Sequence, residues 1–146
     1  MGGEGLRHSR LRRALVIVLR VDAAVLMLAA LPACMPFSWM EQTNHWLGLA
    51  PLPATPLSGY LTRSLSIMYA MHGALQWMIA GDVVRYAPLV GRLGFLAATF
   101  GATMLAIDAA AGMPWWWTLV EGPGIVLLGC FIIILHRMSG LENIGR

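Results

Sequence analysis

The residues of this chain that could do chemistry are few: Asp22, Arg63, Tyr69, His72, Gln76, Asp108 and Glu121, each set inside an otherwise apolar run. Carboxylates beside a guanidinium can hold a proton, an anion or one another. A tyrosine, histidine and glutamine on one face can hydrogen-bond a quinone. A charge near the middle of a bilayer costs about 2.5 to 3.5 kcal/mol, so each of these groups needs a partner or a task.

Spacing and depth group them. Ser66, Tyr69, Gly73 and Gln76 follow steps of three, four and three, which is one helical stripe; Arg63 extends it and His72 sits at its edge. Such a stripe is expected to face the bundle interior or a water-filled crevice. At 1.5 Å per residue, Arg63 lies about 5 Å below the outer end of its span, Asp108 about 3 Å and Glu121 about 9 Å below the outer ends of theirs. These depths predict an outer-leaflet cluster of Arg63 with Glu121 and Asp108. Its formal sum of minus one is completed by a proton or by a further donor such as Tyr69. In the inner half, Asp22 is level with Gln76 and His72, so hydrogen bonds across that seam would relieve its desolvation. Arg20, two residues away, does not share a face with Asp22 and is expected to reach toward headgroups. The groups are too few and too near the span ends to trace a continuous path, which favours polar glue at about 1 kcal/mol per contact over a conduction route.

Other chemistry is argued against by the same residues. His8, His45 and His136 are peripheral and His72 stands alone inside a span, so a haem held by two histidines has no second ligand. Cys34 and Cys130 fall near opposite faces, about 20 Å apart, beyond the reach of a disulfide. Glu41 and His45 have zinc spacing but no further ligands, and read as solvated residues of a surface helix. No phosphate-cradling glycine loop, paired-cysteine motif or serine–histidine dyad can be assembled. The expectation is no catalytic residue, no metal and no cofactor.

The elements that must position these groups follow from composition. Of 146 residues, 58% are hydrophobic and 12% charged, about half the charge of an ordinary soluble domain. Disorder and a disulfide scaffold are excluded, and the length supports one domain over residues 1–146. A bilayer core takes about 20 apolar residues in a helix. Four such runs are present, 14–34, 60–80, 89–110 and 115–135, with short turns making the last three antiparallel neighbours. The predicted fold is all-α: an antiparallel four-helix transmembrane bundle with a short amphipathic interfacial helix, about 39–47, in the outer loop 35–59. Ser38 and Glu41 have capping-box spacing for that helix, and Gly48 can close it. Thr55 and Pro56 can cap and start the second span. Gly122, Pro123 and Gly124 suggest a kink in the fourth.

All ten basic residues are arginine. Arg7, Arg10, Arg12, Arg13, Arg85, Arg92, Arg137 and Arg146 fall on one side, with Arg20 close by, and Arg63 alone on the other. The positive-inside rule then places both termini in the cytoplasm of a bacterial inner membrane. Trp39, Trp46, Tyr60 and the Trp115–Trp117 triplet form an aromatic belt on the outer side. The basic charge finds its partner in the anionic bilayer surface; no base-reading motif suggests nucleic acid. Arg20 and Asp22 interrupt the first apolar run, which argues against a cleaved signal peptide. Along the third span Gly94, Ala98, Ala102, Ala106 and Ala110 recur at every fourth position, with Ala97 and Gly101 as a parallel row, a pattern for close helix packing within the chain or against a second copy.

Met35-Pro36-Phe37-Ser38-Trp39-Met40, His45-Trp46-Leu47-Gly48, Gly59-Tyr60, Arg63-Ser64 and Tyr69, together with Gly112-Met113-Pro114, Trp116-Trp117-Thr118 and Glu121-Gly122-Pro123, resemble a pattern of uncharacterised bacterial four-span inner-membrane proteins. The resemblance covers roughly the middle two-thirds of the chain and implies no activity or cofactor. In architecture alone the chain is similar to DoxX-like membrane proteins, which implies a quinone-linked redox subunit with the quinone near Tyr69, His72 and Gln76. The residues favour a non-enzymatic accessory or interaction module, alone or with a homo-oligomeric or membrane-complex partner. A small proton or anion transporter using Arg63, Asp108 and Glu121 is the third reading.

Overall fold

A computed structural model describes residues 2–141, with the backbone alone for 2–4; Arg146, counted above among the arginines, lies outside the described residues. Among those described, helices are joined by short non-helical segments, the longest over 47–55, and no strand is present. The helices are α1 Gly2–Leu28, α2 Ala30–Cys34, α3 Phe37–Trp46, α4 Pro56–Gly81, α5 Ala87–Ala111 and α6 Trp115–Met138. α1 begins twelve residues before the apolar run; the leucines and arginines among Leu6 to Arg13 are good helix formers that carry it backwards. The break at Ala29 has a local cause. Pro32 has no N–H for the Leu28 carbonyl, and the chain tightens into a turn in which the Ala29 N–H bonds Leu26 O at 3.1 Å.

The run Gly5–Cys34, α5 and α6 are each long and apolar enough to cross a membrane. α4 is long enough at 26 residues. It falls short on composition, because Arg63, Ser64, Ser66, Tyr69, His72 and Gln76 lie along it.

Caps decide where the helices begin and end. The expected box at Ser38 and Glu41 does not form. α3 starts at Phe37, with Pro36 as its cap (φ −59°) and no side-chain capping bond. The Pro36 carbonyl already receives Trp39 N–H at 3.1 Å and Met40 N–H at 3.3 Å, so Ser38 lies inside the first turn. A reciprocal box stands instead at α4: Ser58 N–H donates to Thr55 Oγ1 at 3.2 Å, and Thr55 N–H to Ser58 Oγ at 3.3 Å. α3 closes through Gly48 at φ 65°, with Leu49 N–H on Asn44 O and Gly48 N–H on His45 O, both 3.0 Å. α5 closes in the same way through Gly112 at φ 68°. α6 runs without interruption through Pro123.

The chain divides into two compact units, Met1–Leu19 with Ile79–Arg146, and Arg20–Met78. The first has an apolar core that includes Leu15, Leu19, Val83, Val90, Ile132 and Leu141. In it α5 and α6 pack antiparallel: Gly91 faces His136, Gly94 faces Gly129, and Gly101 faces Gly122 and Val126. In the second, α4 runs antiparallel to the end of α1, with Gly73 against Ala23, Leu26 and Met27.

Candidate functional site

In the second unit the polar face of α4 meets α1. Gln76 is 2% exposed, and its Nε2 donates to Asp22 Oδ2 at 2.6 Å. This bond can form because Gly73 lets the backbones close: a Cβ there would stand 2.6 Å from Ala23 O and 2.9 Å from Met27 N. Beside it, the Arg20 guanidinium lies 5.5 Å from the centre of the Trp77 ring, a cation–π contact in the same antiparallel register. Arg63 Nη2 donates to the Met35 carbonyl at 3.2 Å.

The buried stripe of α4 is narrower than its spacing suggests. Gly59, Ser66, Gly73 and Ala80 are buried, seven residues apart, with Gln76 beside them. Tyr69 is 37% exposed, and Arg63 and His72 are exposed. At about 100° per residue, positions 63 and 72 fall roughly 80° and 100° from Gly73, off the packed face.

The first unit repeats the device. On α5, Ala87, Gly94, Gly101 and Asp108 are buried at intervals of seven; on α6, Gly122, Gly129 and His136 are. Of the expected row of every fourth residue, Gly94 and Ala98 stand at the seam against Gly129, but the row then leaves it, since Ala102, Ala106 and Ala110 are exposed. A four-residue step advances about 40° beyond a full turn and walks around the helix, whereas seven residues drift only about 20°.

Asp108 occupies the last buried position of this row, at 4% exposure, and its Oδ2 has no hydrogen-bond partner. Glu121, half-buried on α6, lies within the field of the Asp108 carboxylate. It accepts from the Trp117 indole N–H one turn before it. The Trp117 ring meets Trp116 edge to face, 5.6 Å between centroids. Thus the structure places Asp22 with Gln76 in one unit and Asp108 with Glu121 in the other, while Arg63, Tyr69 and His72 belong to the former.

His136 stands near the end of α6, as its position in the sequence implies, but it is packed rather than open. It is 8% exposed, with Nε2 2.8 Å from the Ala87 carbonyl oxygen. Gly91 leaves the room, since a Cβ there would be 3.1 Å from the imidazole Cε1. The one available signal is its seven-residue spacing from Gly129 and Gly122. Beside it Ser139, fully buried, donates from Oγ to His136 O at 2.8 Å, and Arg12 Nε donates to Ser139 O at 3.3 Å.

Among the described residues, no three His, Cys, Asp or Glu side chains gather to hold a metal ion. Cys34 and Cys130 are free and exposed. The arrangement can pin helices to one another through single polar bonds, and it keeps one buried carboxyl oxygen without a donor. No family model matches the chain, and no curated protein or solved structure matches it either.

Proposed function

We propose that this chain is a small non-enzymatic integral membrane protein of the bacterial inner membrane, acting as an accessory or interaction module. Its four antiparallel spans are α1 with α2, α4, α5 and α6, both termini are cytoplasmic, and α3 lies on the outer surface. The observation that carries this reading is how the buried polar groups are spent. Gln76 is bonded to Asp22, His136 to the Ala87 carbonyl, and Ser139 to its own helix. Groups used in this way fix which helices pair; the unpartnered Oδ2 of Asp108 stands apart from them. A spanning α4 is supported by its outer face, where Met68, Met71, Leu75 and Met78 are 65%, 67%, 56% and 71% exposed. Lipid solvates such a face; water does not.

The test uses single cysteines in a background lacking Cys34 and Cys130. An impermeant maleimide added to spheroplasts is expected to label His45→Cys and to spare Val84→Cys. Labelling of both from outside would remove α4 from the spans. Proteoliposomes of the wild-type chain are expected to show no ion flux above protein-free vesicles.

A second reading, a small proton or anion transporter, is favoured by one observation: the unpartnered Oδ2 of Asp108. Intramembrane carboxylates without partners mark ion pathways elsewhere. On this reading the wild-type vesicles carry flux and Asp108→Asn abolishes it. The DoxX-like quinone reading needs Tyr69, His72 and Gln76 to converge, and their exposures do not favour it.

A further inference from the structure

We propose that the first turns of α1 form a binding site for an anionic phospholipid, with Arg7 and Arg10 on the phosphate and Leu6 and Leu11 against its apolar portion. The proposal rests on the membrane reading above. These four side chains line an open hollow of about 450 Å³. Arg7 and Arg10 are exposed, and Leu6 is 64% exposed.

Length puts this hollow at the right depth. α1 has 27 residues, about 40 Å of helix, against a hydrocarbon core of about 30 Å. The apolar run 14–34 begins at Ala14 and by itself spans about 30 Å, so the turns before it stand in the headgroup layer.

The segment is also held in place. Arg12 Nε is bonded to the carbonyl of fully buried Ser139 at 3.3 Å. Leu11 and Ala14 pack on the apolar core of the same unit. Arg7 and Arg10 therefore project from a fixed rod, three residues apart on adjacent turns, close enough to meet one phosphate.

The chemistry of the hollow selects the ligand. A purely solvated basic helix would attract any anion. Here leucines flank the guanidiniums, which matches a molecule whose anionic head adjoins hydrocarbon. Arginine also offers phosphate two parallel N–H donors, which lysine cannot.

The test is native mass spectrometry of the full chain in detergent, titrated with phosphatidylglycerol or with phosphatidylcholine of the same acyl chains. The Arg7→Gln/Arg10→Gln variant is compared with Arg92→Gln/Arg137→Gln, which removes two other exposed arginines of the same unit. The wild type is expected to prefer phosphatidylglycerol. The first variant should bind it about 30-fold more weakly, from the typical worth of two basic residues near an anionic surface. The second should lose less than about threefold. Equal losses in both variants would reduce the effect to diffuse charge, and no preference in the wild type would remove the site. A chain that needs detergent but shows no preference overturns the site alone; one that stays soluble without detergent overturns the membrane reading beneath it.

Discussion

Replacing Gly101 by alanine asks the α5–α6 seam to accept one methyl group where backbone already stands. The added Cβ would lie 2.6 Å from Val126 N, 2.7 Å from Gly122 O and 3.0 Å from Ile125 Cβ. Comfortable carbon contacts begin near about 3.5 Å, so the helices must part by roughly 1 Å. They cannot part at that point alone. A Cβ at Gly94 would stand 3.0 Å from Gly129 O, and the same close approach recurs at Gly122 against Leu105. Inserting a methylene into such packing costs about 1 to 3 kcal/mol. The better helix propensity of alanine returns up to about 1 kcal/mol. The net expectation is a loss of up to about 2 kcal/mol. Gly124→Ala is the internal control: it lies within α6, nothing stands within 4 Å of its added Cβ, and only the propensity gain remains. The propensity gain is common to both, so the two variants should differ by the packing cost, about 1 to 3 kcal/mol, in reversible unfolding by SDS from mixed micelles, followed by helicity. If the two variants shift together, the close seam does not exist.

Two further substitutions probe the polar groups. A cycle of Asp22→Leu, Gln76→Leu and the double variant, in the same unfolding assay, should give a coupling of about 1 kcal/mol for their hydrogen bond; a coupling within error of zero would deny the bond. Asp108→Ala removes a buried carboxyl with no hydrogen bond to lose on Oδ2. It should raise stability by about 1 to 3 kcal/mol, and a loss of stability would mean that the carboxylate holds a partner.

What the sequence made legible, and what it hid, follows from which interactions are local. The helices stand where apolar runs and prolines put them, and α4, Pro56–Gly81, encloses the expected 60–80. The capping box was misplaced because Ser38–Glu41 and Thr55–Ser58 are equally regular as spacings. Only the backbone distinguishes them, through a Pro36 carbonyl that already starts the first turn of α3. The small-residue seam was seen but assigned the wrong period. Ala102, Ala106 and Ala110 are as small as Gly94 and Gly101, and nothing in their own chemistry says which face a neighbour covers. His136 was missed for a related reason. Its distance from the span centre gives its depth but not its burial, because Gly91 and the Ala87 carbonyl, both on another helix, make its pocket.

The solvent explains why the class was easier to read than the seam. In water, burial is driven by apolar area, and large side chains turn inward. Here glycine, alanine, serine and single polar groups are buried along α4, α5 and α6, beside a few aliphatics such as Val90 and Ile132. Outside stand Met71, Leu96, Leu119 and Leu127, each more than half exposed. Lipid tails are as apolar as leucine, so there is nothing to gain by hiding leucine from them. Association must come from close backbone approach and from the few polar bonds that approach permits. Gly73 and Gln76 make the case in one turn of helix: the absent side chain brings the backbones together, and the present one then reaches Asp22 at 2.6 Å. A bulky residue at Gly73 would therefore break a hydrogen bond it does not make.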